Sequence, residues 1–553
     1  MFTKDWDESV GLWWSTGDIH NKPICHLERT HRGPDAAGRL LTAAQLGQLR
    51  EIDVAAVLAA LRKMVWTVEG PKYGCIKWYW EDPEPCDTNA AFFTGLPLVT
   101  LRIVFADQLE DQELHDLDWI LEKLSAWFLR CCAERHEHYP NKYLGDLVCA
   151  WLILECTGGD GADTVAASMR RSAKYWSGKG GWGWGEHIGN YINVLLDELS
   201  ALLLLARRLP DDIRADYLSM LNELLAIEDS FQGGPCVPTL RNYAFTESPR
   251  VSSYREYVQP WAPDEKIKVT NRAPLRNLLA ERGWHDLVAP PADPPACPRT
   301  VSVPCFGGAT AHAYIDQDIR LGGMSHFPVM DWAEGVGWGL SWQCFPVALW
   351  RPAGDWGFLL WHAVENDVWR SHPMGVERTA ETPRQLTETV NPPIIGRTES
   401  ILHAGDLVAA RYMPERPTSW PRSGDGFRIV RTDAQTELKE QSEAWHRLLL
   451  RWPDRAVSVE FVNLTDDRAP ELRENEFGGY DWLIHYDPEC HGPAMGLWRI
   501  SLSNDDRQAP VIEPADVPAQ PRPAGGRAVH VNWNDRRFLL DPLAAPMITE
   551  DTV

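Results

Sequence analysis

Residues 178–193 read Gly-Lys-Gly-Gly-Trp-Gly-Trp-Gly-Glu-His-Ile-Gly-Asn-Tyr-Ile-Asn and lead into a strongly apolar segment. The stretch sets two indoles (Trp182, Trp184), a carboxylate (Glu186), an imidazole (His187), an amide (Asn190) and a phenol (Tyr191) on a Gly-rich loop and the helix it enters. A helix beginning near Glu186 puts His187, Asn190 and Tyr191 at i, i+3 and i+4, on one face. Glycine lets the backbone turn tightly beside a ligand. Indoles offer rigid apolar surface at low entropic cost, which suits the C–H faces of sugar rings. His187 and Asn190 are therefore expected in catalysis, and Trp182, Trp184, Glu186 and Tyr191 in substrate binding. The competing reading is a packing turn with a capping glutamate, because Trp, Tyr and lone His side chains mostly pack.

Those residues need a scaffold, and the chain is long enough for two. At 553 residues it exceeds one typical core. Its 44% apolar and 24% charged residues are those of a globular protein, and its 27 tryptophans imply lined surfaces or clefts. The net charge of −24 argues against nucleic acid or an anionic membrane as partner. It also disfavours a polyanionic substrate, unless a local basic cleft overrides it. The acidic N-terminus carries no signal-like apolar core, and the apolar run Leu199–Ala206 is too short to span a bilayer. The 12 cysteines include the vicinal Cys131-Cys132 but no Cys-x-x-Cys. Reduced thiols and a cytoplasmic location are the expectation.

Periodicity divides the chain. Thr42-Ala-Ala-Gln45 reads as a capping box ahead of a helical pattern through Val65. Further amphipathic helices are predicted near 112–134, 143–156, 162–176, 188–209, 211–226 and 274–283. Between them, Asp229 to Asp264 is irregular and rich in Gly, Pro and Tyr, and a long irregular segment inside a domain is usually functional. Ala289–Pro298 is a proline-stiffened linker. From Val301 onward the apolar period becomes two, with turn signals at Pro352-Ala-Gly354 and Arg422–Gly426. These patterns predict a helical domain over 1–288, a linker over 289–299 and an antiparallel β-sandwich over 300–553 with a Pro-rich tail.

This layout resembles the (α/α)-toroid polysaccharide lyases, in particular the heparinase II/III-like group. Glu186–Tyr191 leading into Leu195–Leu205 looks like the toroid helix on which those lyases carry a His or Asn-His element. Phe231-Gln-Gly-Gly234 followed by Glu247–Tyr254 looks like their irregular tyrosine-bearing segment, and Tyr314–Gly322 like the opening of their β domain. The resemblance spans roughly residues 40–500 as architecture. It implies an incomplete (α/α) toroid followed by a β-sandwich, and a lyase that cleaves a uronate-containing glycan by β-elimination. It also implies that a structural metal can sit in the β domain. No His-x-His or His-x-x-x-His pattern appears here, so no ligands and no cofactor are assigned.

In β-elimination a base removes the proton next to the carboxylate, a donor neutralises the charge that builds there, and an acid protonates the leaving oxygen. His187 or Asn190 would hold the carboxylate. Tyr243 or Tyr254 would act as base or acid in the field of Arg241, Arg250 and Arg255, with His326 reaching in from the β domain. The two tyrosines and the 182–191 residues are expected to line one pocket near the toroid mouth. Trp80, in Trp78-Tyr-Trp-Glu-Asp, is a second sugar platform. Two alternatives stand beside this. A toroid glycosidase would use paired carboxylates from Glu186, Asp197, Glu198, Glu247, Glu81, Asp82 or Asp87. A glycan-binding protein would keep the indoles and need no titratable group.

Overall fold

The structure is a computed structural model. It describes residues 2–544 apart from 17–18, 179–190, 232–233, 240–248, 250–252, 262–271, 292, 294–295, 306–307, 330–344, 366–367, 371–375, 380–381, 387–395, 414–421, 441–444, 466–467, 476, 487–492, 503–510, 516–527 and 534–535. The helices are α1 (Gly33–Gln45), α2 (Val54–Met64), α3 (Ala90–Val104), α4 (Asp111–Ala133), α5 (Pro140–Thr157), α6 (Ala162–Gly178), α7 (Ile192–Leu205), α8 (Asp211–Ser230), α9 (Tyr254–Tyr257), α10 (Ala273–Glu281) and α11 (Trp284–Leu287).

Local chemistry sets their ends. Glu110 and Glu113 form a reciprocal capping box at the start of α4, where Asp111 adds negative charge beside the helix N-terminus. Asp53 accepts the Ala56 N–H at 2.9 Å at the start of α2. Pro140 opens α5 and Gly158, left-handed at φ 73°, closes it. The Thr42–Gln45 pattern has another meaning. Thr42 lies inside α1 and donates to the Gly38 carbonyl at 2.8 Å, so the helix begins upstream, at Gly33. Helix α3 left no periodic signal, because it is apolar almost all round and holds Pro97 inside.

The helices form two layers. α1 packs on α3, α3 on α5, α5 on α7, α7 on α10, and α10 returns to α1. Gln45 of α1 seals that closure by donating to the Pro274 carbonyl at 2.9 Å. Around this ring α2 packs on α4, α4 on α6 and α6 on α8. The inner helices α3, α5 and α7 are buried over most of their circumference, whereas α4 and α8 bury one stripe each. Contacts between the inner helices fall near their starts. Gly33 lies against Thr94, and Gly145 against both Phe92 and Glu198. Asp197 pairs with Arg272 and Arg276. The N-terminal halves of α3, α5 and α7 therefore lie together, with Arg272 and Arg276 of α10 reaching Asp197 there, and the dipoles of these three helices point their positive ends to that side.

The C-terminal part is an antiparallel sandwich. A nine-stranded and a seven-stranded sheet face each other, and every pairing among the described residues is antiparallel. Leu321, Leu349, Leu359, Phe427 and Trp482 of one sheet meet Leu407, Leu448, Val459, Phe461 and Trp498 of the other. The far face of the nine-stranded sheet (Ala311, Ala348, Trp356, Phe358) shares a core with Phe231, Cys236 and Val237 of the helical part. Residues 511–514, expected as surface tail, instead form a strand, Val511–Pro514. With Val529–Trp533 and Arg536–Leu540 it makes a third sheet over the outer face of the seven-stranded one.

The sandwich core also holds charge. Arg411 donates through Nε to Asp425 Oδ1 at 2.9 Å, Trp498 Nε1 donates to the same carboxylate at 2.7 Å, and the guanidinium lies 3.9 Å from the Trp361 ring centre. Removing one partner leaves a buried charge uncompensated. Arg411→Ala is expected to destabilise the sandwich by about 3–5 kcal/mol, read as a lowered denaturant midpoint.

Candidate functional site

Asp197 sits in the second turn of α7, inside the ring, with its side chain 4% exposed. Arg276 of α10 grips it with two donors, Nε to Oδ1 at 2.7 Å and Nη2 to Oδ2 at 2.9 Å. Tyr254 of α9 donates its hydroxyl to Oδ1 at 2.9 Å. Tyr254 is fully buried, its N–H donates to Glu228 at 2.9 Å, and its ring meets Trp284 edge-on at 5.6 Å. Burial first, and the Asp197 charge second, push the Tyr254 pKa well above the usual phenol value. The expected field of nearby arginines therefore does not turn this phenol into a base. Arg255 is paired with Asp229 at 3.0 Å, and Arg276 with Asp197.

Arg272, at the start of α10, has a looser attachment. Its Nη1 is 3.6 Å from Asp197 Oδ2, its guanidinium lies 5.1 Å from the Phe93 ring centre, and 24% of its side chain is exposed. Beside it Glu198 is 1% exposed, and neither carboxyl oxygen has a hydrogen-bond partner among the described residues. Burial is the main cause that raises the Glu198 pKa well above the usual carboxylate range. Asp197 is bound closely by Arg276, so Arg272 is the more loosely held of the two guanidinium groups.

A run of ring contacts leads away from Arg272 along the rim. Phe93 meets Trp78 at 5.3 Å, and Trp78 meets His20 at 4.8 Å. The His20 ring is fixed from both sides, by Tyr79 Oη at Nδ1 and by Asp87 Oδ2 at Nε2, each 3.0 Å away. Arg32 lies 5.7 Å from the Trp78 ring centre.

The residues expected from the sequence fall in three groups. Trp182, Trp184, Glu186, His187, Asn190, Arg241 and Tyr243 lie outside the described residues. Tyr191 caps α7 and Tyr254 reaches the same helix, so the structure brings these two to one cluster. Trp80 and His326 lie elsewhere. Trp80 is half-buried between the ammonium groups of Lys63 and Lys77, each 5.9 Å from its ring centre. His326 stands in the short strand His326–Phe327 at the end of the seven-stranded sheet, opposite Glu399 and 3.3 Å from Ser325 Oγ. Burial lowers its pKa.

Arg272 and Arg276 did not stand out in the sequence. The available signal was an i, i+4 arginine pair set against an Asp-Glu pair in an otherwise apolar helix. Among the described residues no three His, Cys, Asp or Glu side chains are placed to hold a metal ion. His312 bonds Ser302 and His403 packs on Trp533. Among the described residues these donors do not fit the structural metal that the resemblance allows. No helix among the described residues is long and apolar enough to cross a membrane.

No protein family matches the chain by sequence, and no curated protein does. Solved structures do align with it. Heparinase III aligns over 91% of this chain and 82% of its own, at 9% identity and a TM-score of 0.48. The heparan sulfate lyase HepC of Pedobacter heparinus aligns over 95% and 99%, at 10% identity and a TM-score of 0.35. A mutant of HepC covers 92% and 82%, at 9% identity and a TM-score of 0.39. The chain is similar to these proteins along most of its length.

Glu198 also makes stability depend on pH. The folded state holds its proton above the pH at which the unfolded chain releases it, near 4.3. The folded state then binds more protons, so stability falls as pH rises from there through the raised folded value. Glu198→Gln should remove that part of the fall. Near pH 8 the variant should be the more stable protein, and the gap should close near pH 4. Urea unfolding at several pH values reads it.

Proposed function

We propose that the chain is a polysaccharide lyase that cleaves a uronate-containing glycan by β-elimination at the mouth of the helical ring. The observation that carries this reading is the guanidinium of Arg272, partly exposed and held only at 3.6 Å by Asp197, beside the buried Glu198. β-Elimination builds a second negative charge on the uronate carboxylate as the neighbouring proton leaves. A fixed cation among helix N-termini stabilises that charge more than it stabilises the ground state, which is what lowers a barrier. Phe93 and Trp78 supply apolar ring surface beside it.

In this reading His187 and Asn190 assist at the carboxylate, and Tyr243 serves as base or acid. Asn190 directly precedes Tyr191, the residue that caps α7 at the mouth. Trp182, Trp184, Glu186, Tyr191 and Arg241 belong to the sugar-binding surface. Tyr254 is a positioning residue: it clamps Asp197, which in turn sets the two arginines. The hydrolytic alternative needs two accessible carboxyl groups facing each other across the scissile bond. Asp197 is occupied by Arg276 and Tyr254, and Glu198 is buried, so this pair supports the lyase reading instead.

Incubation with uronate-bearing and neutral oligosaccharides separates the classes. The lyase reading expects a conjugated unsaturated uronate, seen by its near-ultraviolet absorbance. Reducing ends without that absorbance would mean hydrolysis, and binding without any product would mean a lectin-like protein. Arg272→Ala should lower kcat/KM by about 10²–10³-fold, as loss of a charge-stabilising donor does, with Arg272→Lys recovering part of it.

A further inference from the structure

We infer that the chain pairs with a second copy of itself along the strand Gln435–Glu440, so that the two seven-stranded sheets run on as one. This goes beyond the lyase reading and does not depend on it.

The strand lies at the edge of the seven-stranded sheet, and among the described residues its one strand neighbour is His446–Arg451. That pairing runs from Gln435 to Glu440 without a shift in register, so the edge holds neither a bulge nor a proline to spoil a second partner. Leu438 stands opposite Leu448, which belongs to the core between the two sheets, and opposed residues of an antiparallel pair share a face. Leu438 is therefore at the open margin of that core. It is 54% exposed, a large aliphatic side chain at an edge position that solitary sheets protect with a charge.

Two-fold antiparallel pairing restricts the register. Both copies must keep their core-facing residues on the same side of the joined sheet, so the axis passes through a residue and never between two. An axis at Leu438 sets the leucine against its own copy, Glu437 against Lys439 on both sides, and Thr436 against Glu440. Opposite charges and apolar pairs placed this way stabilise a sheet. Moving the axis to 437 opposes glutamate to glutamate, and moving it to 439 opposes lysine to lysine. The charge pattern is thus self-complementary in the one register that also covers Leu438, which is what commits the edge to a second copy. The nine-stranded sheet ends in a strand of similar sequence, where Glu471-Leu-Arg-Glu474 echoes Glu437-Leu-Lys-Glu440. That edge is closed: Leu472 packs against the sandwich core, and Arg473 lies 3.5 Å from the buried Asp481.

Sedimentation velocity on the full chain, over a range of concentrations, reads the association. The inference expects a concentration-dependent dimer. Glu437→Lys and Lys439→Glu should each weaken it by at least about tenfold, because each sets like charges opposite one another at both symmetry-related contacts. Mixing the two single variants should restore association, since each then presents the charge the other lacks. The double variant Glu437→Lys/Lys439→Glu should likewise dimerise on its own. Leu438→Asp should leave a monomer. Unchanged far-ultraviolet circular dichroism qualifies each variant, and recovery on mixing shows that a single variant had lost its partner and not its fold. A wild-type chain that stays monomeric up to its solubility limit overturns the inference. So does a dimer indifferent to both single variants, or a pair of single variants that fails to associate on mixing.

Discussion

The arrangement depends on one buried carboxylate. Asp197 lies inside a ring of apolar helices, where an unpaired charge would cost several kcal/mol. Two hydrogen bonds from Arg276 and one from Tyr254 make it tolerable. Those partners come from α10 and α9, so satisfying Asp197 also docks α9 on α7 and brings α10 between α7 and α1. The ring closes around this charge, and Arg272 is placed at the mouth as a consequence, one helical turn before Arg276.

The same interaction reconciles a strongly acidic chain with the anionic ligand proposed for it. A net charge of −24 sets the far field, but screening confines most exposed charges to about a Debye length of 8–10 Å. Within the mouth the balance is decided by a few groups in low dielectric. Asp197 is bound by Arg276, burial raises the Glu198 pKa, and helix N-termini add their dipoles. The site is thus a local exception to the surrounding surface. The ring it sits on is braced from outside, because the nine-stranded sheet shares a core with the end of the helical domain.

Elements with a polar face could be read from the sequence, and elements without one could not. α4, α6 and α8 show apolar stripes with acidic first turns, and their ends fall close to those expected from periodicity. α3 is packed by α1, α5 and the outer helix α4, so its sequence keeps no stripe and its Pro97 reads as a breaker. Thr42-x-x-Gln45 has the residues of a cap but bonds backward along α1, a distinction that only the backbone reveals. The alternation of the strands after Val301 follows from a sandwich with distinct inner and outer faces. At the site, Tyr191 and Tyr254 could be picked out as aromatics in Gly- and Pro-rich segments. The Arg272–Asp197 contact joins residues far apart in the chain and leaves no local pattern. His326 stands beside Ser325 and opposite Glu399 in the sandwich, and Tyr243, with which it was expected to act, lies outside the described residues.

The central claim is that Arg272 at the mouth of the ring receives a uronate carboxylate, and a crystal structure with a bound uronate oligosaccharide tests it most directly. The account predicts a sugar carboxylate within hydrogen-bonding distance of the Arg272 guanidinium, with the sugar ring near Phe93 and Trp78 and the Asp197–Arg276 pair intact. Sugar bound elsewhere on the molecule, with Arg272 still facing only Asp197 and Phe93, would contradict it.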